Sequence, residues 1–433
     1  MKSNGRRLCR YVFPAVGGLC VTYLYNIIDG IFVGQGVGYM GLGAVNIGVP
    51  FITFVVAVAA MFPMGGATVV AIRMGRRNEK GANHAFMTAL ILTVLMSLIL
   101  MAIGMLFPCQ IARLSGASDT MLEMSSQYLF YYTAFSVPML LSTCLSVFVR
   151  NDGSPGLAFW GMCAGAAANI FLDWLFIFPL QMGIIGAAIA SGLGQVISLV
   201  VLLSHFVLKK GKLRITRISI SAKLAGKICK RGIPEAISQL NTPVTALCYN
   251  LVLSQMIGDM GVSTFSVLSF IFSLANAILS GVVQGLQPLW GLSYGKKDAR
   301  EMGYYFRAGI IMNGILSVLI YGVLFGFDRQ IIAIFNRDPA LIEMTSAALP
   351  VFALSFFPMG LNLVITGLLF STKRTNQANV IAVSRGIVLK SLSIFCIPII
   401  FGREAIWFAA IASESLTLTV AVILLRIKQI KWQ

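Results

Sequence analysis

Asp29 stands in the stretch Tyr25-Asn-Ile-Ile-Asp-Gly-Ile-Phe-Val-Gly34, near the end of an apolar run from Tyr11 to Val33. A carboxylate placed deep in a bilayer costs roughly 2.5–3.5 kcal/mol on insertion scales, so it is expected to pair, to face a cavity or to work. Tyr25 and Asn26 precede it by four and three residues and share its helix face. Another apolar run carries Asn169 and Asp173, spaced i and i+4, and the run after that carries Ser191. From Tyr11 to Asp29 and from Pro155 to Asp173 are equal separations of 18 residues. At ~1.5 Å per residue both acids are expected roughly 27 Å along their helices, with Ser191 at a compatible height. Two carboxylates with amide and hydroxyl oxygens make a hard oxygen cage for a small cation, or a pair that shares one proton. The competing reading is structural: acids bonded to Asn or Ser neighbours that lock helices together.

The elements that must position these residues follow from composition. The chain has 433 residues, 58% hydrophobic and 11% charged, with a mean hydropathy of +0.86. A soluble domain is nearer half apolar and a quarter charged, so a multi-spanning membrane protein is expected. A crossing helix needs roughly 20 apolar residues. Such runs occur at about 11–33, 42–72, 84–107, 122–149, 155–178, 182–208, 227–257, 262–292, 303–327, 341–370, 376–400 and 404–427, twelve in all. The odd-numbered loops hold only Arg113, Arg329, Arg337 and Arg403, and Arg385 and Lys390 lie inside the eleventh run. The remaining Lys and Arg flank the even-numbered loops and both termini, which the positive-inside rule assigns to the cytoplasm. The net charge of +18 is thereby explained without nucleic acid. The loop KKGKLRITR at 209–217 reads as a cytoplasmic linker beside anionic lipid. The charged start MKSNGRRLCR precedes a run too long for a secretory leader, and an uncleaved first span is expected.

The sequence also repeats. A shift of 220 residues carries Pro14 onto Pro234, Gly38 onto Gly258, Met40-Gly41 onto Met260-Gly261, Gly65 onto Gly285 and Pro138-Met139 onto Pro358-Met359. Gly and Pro impose backbone geometries that few other residues tolerate, so their coincidence marks duplicated architecture. The fold class expected is an all-α membrane protein of twelve transmembrane helices in two parallel six-helix repeats. Its expected parts are an N-terminal lobe at 1–208, a basic linker at 209–226 and a C-terminal lobe at 227–433.

Four stretches, in this order, make the chain similar to the multidrug and toxic compound extrusion (MATE) family: YNIIDGIFVG, PMGGATVVAIRMGRRNEKGA, NIFLDWLFIFPLQMGIIGAAIAS and GVVQGLQPLWGLSYGKKDA. The resemblance covers nearly the whole chain. It implies a V-shaped pair of six-helix lobes and antiport, in which entry of H⁺ or Na⁺ drives export of organic, often cationic, compounds. It further implies that Asp29, Asn169 and Asp173, and by residue type Ser191, form the cation or proton site of the first lobe. Under the 220-residue shift Asp29 falls on Tyr249 and Asp173 on Ser393, so coupling is expected in the first lobe alone. Some members carry a Glu deeper in the seventh span, a position this chain leaves without one.

Other polar residues in the apolar runs admit two roles. Gln284, Gln287, Trp290 and Asn250, with Gln239 and Asn241, are candidates to line a substrate cavity; the alternative for each is a hydrogen bond between helices. Lys390 and Glu414 lie deep in adjacent runs and are expected to pair, while Arg385 is expected to snorkel to the cytoplasmic side. Glu235 follows Pro234 and reads as a first-turn acid favouring the helix dipole. The eight Cys lack paired spacing and read as small buried residues, with no disulfide or metal role. His84 and His205 have no metal-ligand partner at suitable spacing, Gly34-Gln-Gly-Val-Gly38 follows no strand, and no Walker motif occurs. The chain is therefore expected to be a non-enzymatic, cofactor-free transporter of the cell membrane. It is expected to act as a monomer, with small organic molecules and membrane lipids as its partners. The alternatives are a lipid-linked glycan flippase of the same superfamily and a non-transporting membrane protein.

Overall fold

The computed structural model describes residues 2–215, 221–335 and 338–427. Arg217, Arg337 and residues 428–433, which entered the charge argument, lie outside the described residues. The first half comprises α1 (Lys2–Gly36), α2 (Tyr39–Gly75), α3 (Glu79–Leu106), α4 (Pro108–Leu114), α5 (Asp119–Ala134), α6 (Ser136–Asn151), α7 (Pro155–Ile177) and α8 (Gly183–Val207). The second comprises α9 (Ala222–Met256), α10 (Asp259–Lys296), α11 (Ala299–Gly326), α12 (Asp328–Phe335), α13 (Pro339–Ala353), α14 (Phe356–Ser371) and α15 (Thr375–Val383). A π-helical turn (Ser384–Val388), α16 (Leu389–Phe401), a 3₁₀ turn (Arg403–Phe408) and α17 (Ala409–Ile427) complete it.

Among the described residues, nine helical spans are long and apolar enough to cross a membrane. The bent pairs α5–α6 (50°) and α13–α14 (41°) bring the number to eleven. The runs expected at 122–149 and 341–370 are these two pairs. The remaining expected span is α9, whose length suffices but whose apolar half is diluted by Gln239, Asn241, Thr242 and Asn250.

The repeat is visible in the backbone. Gly38 and Gly258, 220 residues apart, open α2 and α10 with φ of 85° and 86°, a conformation that L side chains rarely adopt. The breaks in α5–α6 and α13–α14 keep the same offset. The two halves differ in one respect: α7 is a continuous helix, whereas its counterpart is interrupted by the π turn.

The chain divides into two compact units between Ala236 and Ile237. The expected linker at 209–226 therefore lies inside the first unit. Leu213, Leu224 and Ile228 are buried in the same core as Phe86, Phe148 and Phe206. Asp152 anchors the segment by accepting from the backbone N–H of Lys212 (2.9 Å) and Leu213 (3.0 Å), with His205 Nε2 at 2.9 Å. At Gly232 a Cβ would collide with the Met61 carbonyl, so α9 and α2 touch through their backbones there. Because α9 begins at Ala222 and runs through Pro234, Glu235 sits in mid-helix and not in the first turn that its sequence context predicts.

The second unit is built around Tyr249, Phe265, Phe352, Phe356 and Trp407. Tyr249 stacks on Phe265 at 4.3 Å. The position that repeats Asp29 is thus filled by a fully buried aromatic ring.

Candidate functional site

In the first unit α7 packs between α1 and α8. Small residues permit the approach: a Cβ on Gly165 or Gly194 would lie 2.9 or 2.8 Å from the other's carbonyl oxygen. The lipid-type residues Trp160, Phe171 and Trp174 are exposed on α7, which turns Asn169 (2% exposed) and Asp173 (0%) inward. On α1, Gly17, Gly18 and Gly36 face Phe159, Met162 and Ile177 of α7, which fixes the rotation that carries Asp29 towards Asp173.

The carboxyl groups of Asp29 and Asp173 lie close enough to act on each other electrostatically, and Asn169 stands one helical turn before Asp173 on the same helix. Asn169 Nδ2 stands 3.4 Å from Ser191 Oγ on α8. Asp29 Oδ1, both Asp173 oxygens and Asn169 Oδ1 are buried with no donor among the described residues. The group is an acceptor cluster, and such a cluster is satisfied by a proton or a small cation. Among the described residues no three His, Cys, Asp or Glu side chains gather as a metal set. A Na⁺ ion would draw on the two carboxylates and on the amide and hydroxyl oxygens of Asn169 and Ser191.

Residues that the sequence reading did not single out complete the group. Gln195, one turn beyond Ser191, accepts from Ser142 Oγ at 2.6 Å and also reaches the Tyr25 hydroxyl. Tyr128 and Tyr132 of α5, ring centroids 5.7 Å apart, lie within electrostatic range of Tyr25 and Asp29. The i, i+4 spacing of Ser191 with Gln195 and of Tyr128 with Tyr132 was the available signal. Asn26 stands exposed and makes none of these hydrogen bonds among the described residues.

The second unit gathers charge differently. Glu414 on α17 is fully buried. It accepts from Arg385 Nε through both carboxylate oxygens (3.0 Å each), from Lys390 Nζ (3.3 Å) and from Asn362 Nδ2 (2.9 Å). Lys390 also lies 5.1 Å from the centre of the Phe272 ring. The expected Lys390–Glu414 pairing is present. Arg385 does not snorkel as its sequence position suggested: the π turn that carries it presents Nε to α17, where a buried carboxylate offers more than the interface does.

Of the cavity candidates, Gln284 and Gln287 are half-buried and Asn250 is exposed. Trp290 is fully buried. Its ring fills the space above Gly309 and Gly367, whose missing Cβ atoms admit it.

The MatE family model matches residues 14–175 and 234–393, two segments whose starts lie 220 residues apart. The multidrug export protein MepA of Staphylococcus aureus (strain bovine RF122 / ET3-1) is 22% identical over 97% of this chain and 93% of its own length. MepA of Staphylococcus saprophyticus is 22% identical over 96% and 92%. Among solved structures, an outward-facing multidrug resistance MATE family transporter of the MOP superfamily superposes with a TM-score of 0.93. That likeness covers 98% of this chain and 95% of the other at 21% identity, and it carries the fold.

Proposed function

The chain belongs to the MatE family and is a multi-pass membrane protein, and from that premise we propose that it is a cation-coupled antiporter. H⁺ or Na⁺ moves inward through the first unit while an organic, often cationic, compound is exported. The observation that carries this reading is the pair of inward-facing carboxyls on separate helices, Asp29 and Asp173, with four buried acceptor oxygens at hand. Two like charges in a poorly solvated place are costly unless a cation joins them. Taking up a proton or Na⁺ therefore changes the energy of the α1–α7 contact. A transporter needs such a difference, because a ligand shifts a conformational equilibrium only by its differential affinity for the two states. The drug-export names of the curated relatives support the substrate class. The distribution of Lys and Arg supports a cell-membrane protein with both termini in the cytoplasm.

The experiment is efflux of ethidium from proteoliposomes under a pH gradient alone and then a Na⁺ gradient alone. One gradient should drive efflux in the natural chain and fail to do so in Asp29→Asn. Equal efflux with and without Asp29, under both gradients, would count decisively against coupling at this site.

A further inference from the structure

We infer that the second unit carries a binding site for an anionic oxygen group, a carboxylate or a phosphate, received by Arg385 with Lys390 beside it. Glu414 is the internal anion that holds the two cations in place. The inference rests on the export reading and deepens it, because it names a chemical class for part of what the transporter takes up.

Two cations converge on one carboxylate: Arg385 and Lys390 both bond Glu414, and among the described residues no second acid joins them. A structural bridge needs one cation. A second, left over inside a membrane protein, is expensive unless an anion answers it.

Arg385 spends only Nε on Glu414, and its two Nη groups have no acceptor among the described residues. A guanidinium offers a planar fork that matches a carboxylate or phosphate edge, and the outer edge of this fork is unused. Side-chain exposure is ordered accordingly: 0% for Glu414, 8% for Lys390 and 13% for Arg385. The internal anion is innermost and the fork outermost, so an arriving anion meets Arg385 first. Ile387 and Val388 carry the exposed apolar surface of the same turn.

Subtracting 220 places Arg385 on Gly165 and Glu414 on Gly194, the two glycines through which α7 and α8 touch in the first unit. Asn362, which bonds Glu414, falls on Ser142, which bonds Gln195. One interhelical seam has thus been built twice. In the first unit it is closed by backbone contact next to two acids. In the second it has been opened, and a π turn, a feature common at functional sites, accommodates the added cations. A Cβ on Gly386 would collide with the Asn241 side chain of α9, so this turn is held against α9 as well.

The test uses the full-length protein in phosphatidylcholine nanodiscs, with benzoate and inorganic pyrophosphate as probes in calorimetric titrations and ethidium as the cationic control. At least one anion should bind. Arg385→Lys, which keeps the charge and the pair with Glu414 but lacks the fork, should weaken that binding at least tenfold and leave ethidium affinity unchanged. If Arg385→Lys fails to fold, Lys390→Gln leaves a neutral Arg385–Glu414 pair and should also weaken anion binding severalfold. Nanodiscs containing phosphatidylglycerol separate the sources of the ligand. Competition with the soluble probe that Arg385→Lys relieves identifies a lipid phosphate; unchanged probe binding identifies a soluble anion. Absence of anion binding in phosphatidylcholine, or an affinity that neither substitution alters, overturns the inference. Ethidium efflux persisting in that event leaves the antiport reading standing.

Discussion

Asp173→Asn keeps the volume of a fully buried side chain and removes one of the two charges that face each other across α1 and α7. Two ionised carboxylates about 4 Å apart would repel by roughly 4 kcal/mol at an effective dielectric of about 20. A cation held about 4 Å from each carboxylate gains roughly 4 kcal/mol per carboxylate on the same scale. Halving that gain for partial solvation leaves about 2 kcal/mol, or roughly thirtyfold in affinity. Cation-driven ethidium efflux from proteoliposomes, at a driving ion concentration below saturation, should fall by about that factor or more. The thermal midpoint of the solubilised protein should hold or rise, because like-charge repulsion is relieved and Asn169 keeps a polar neighbour at position 173. A pure helix-locking role predicts the reverse: a midpoint lower by several degrees and efflux within twofold of the natural chain. That result would refute the reasoning.

Other expectations follow from the packing. Arg385→Ala strips Glu414 of its two-oxygen partner, and breaking one side of a buried pair should cost about 3–5 kcal/mol, read by thermal unfolding in detergent. Gly194→Ala puts a Cβ 2.8 Å from the Gly165 carbonyl and 2.9 Å from Asn169 Cβ. The resulting separation of α7 and α8 should cost about 1–3 kcal/mol and weaken cation binding at Asp173, measured by Na⁺- or pH-dependent stability. Asp152→Asn weakens the clasp on Lys212 and Leu213, two hydrogen bonds that hold the linker to the first unit. Tryptic cleavage within residues 209–215 should accelerate about fivefold or more, as loss of about 1 kcal/mol of local protection requires.

Much of the architecture could be read one residue at a time. Hydropathy located the spans, because a bilayer imposes the same length and polarity on every crossing helix. Gly38 and Gly258 betrayed the repeat, because a backbone at φ near 85° excludes most side chains in both copies. The two acids stood out because a charge is so rarely tolerated in such a run. These are properties of a residue and its sequence neighbours.

The remainder depended on how helices are rotated against one another, which no local pattern encodes. Gln195, Tyr128 and Tyr132 are unremarkable polar residues in sequence and join Asp29 only because glycine contacts set the faces of α1, α7 and α8. Arg385 read as a residue bound for the interface, until a π turn delivered it to Glu414, 29 residues further along the chain. The linker read as a boundary, yet its Leu213 and Leu224 bury themselves in the first unit's core. Sequence by itself determined which segments cross the membrane and which residues are too costly there to be idle. Tertiary structure alone decided their partners, because a buried charge is stabilised by whichever group the packing brings within about 3 Å, however distant in sequence.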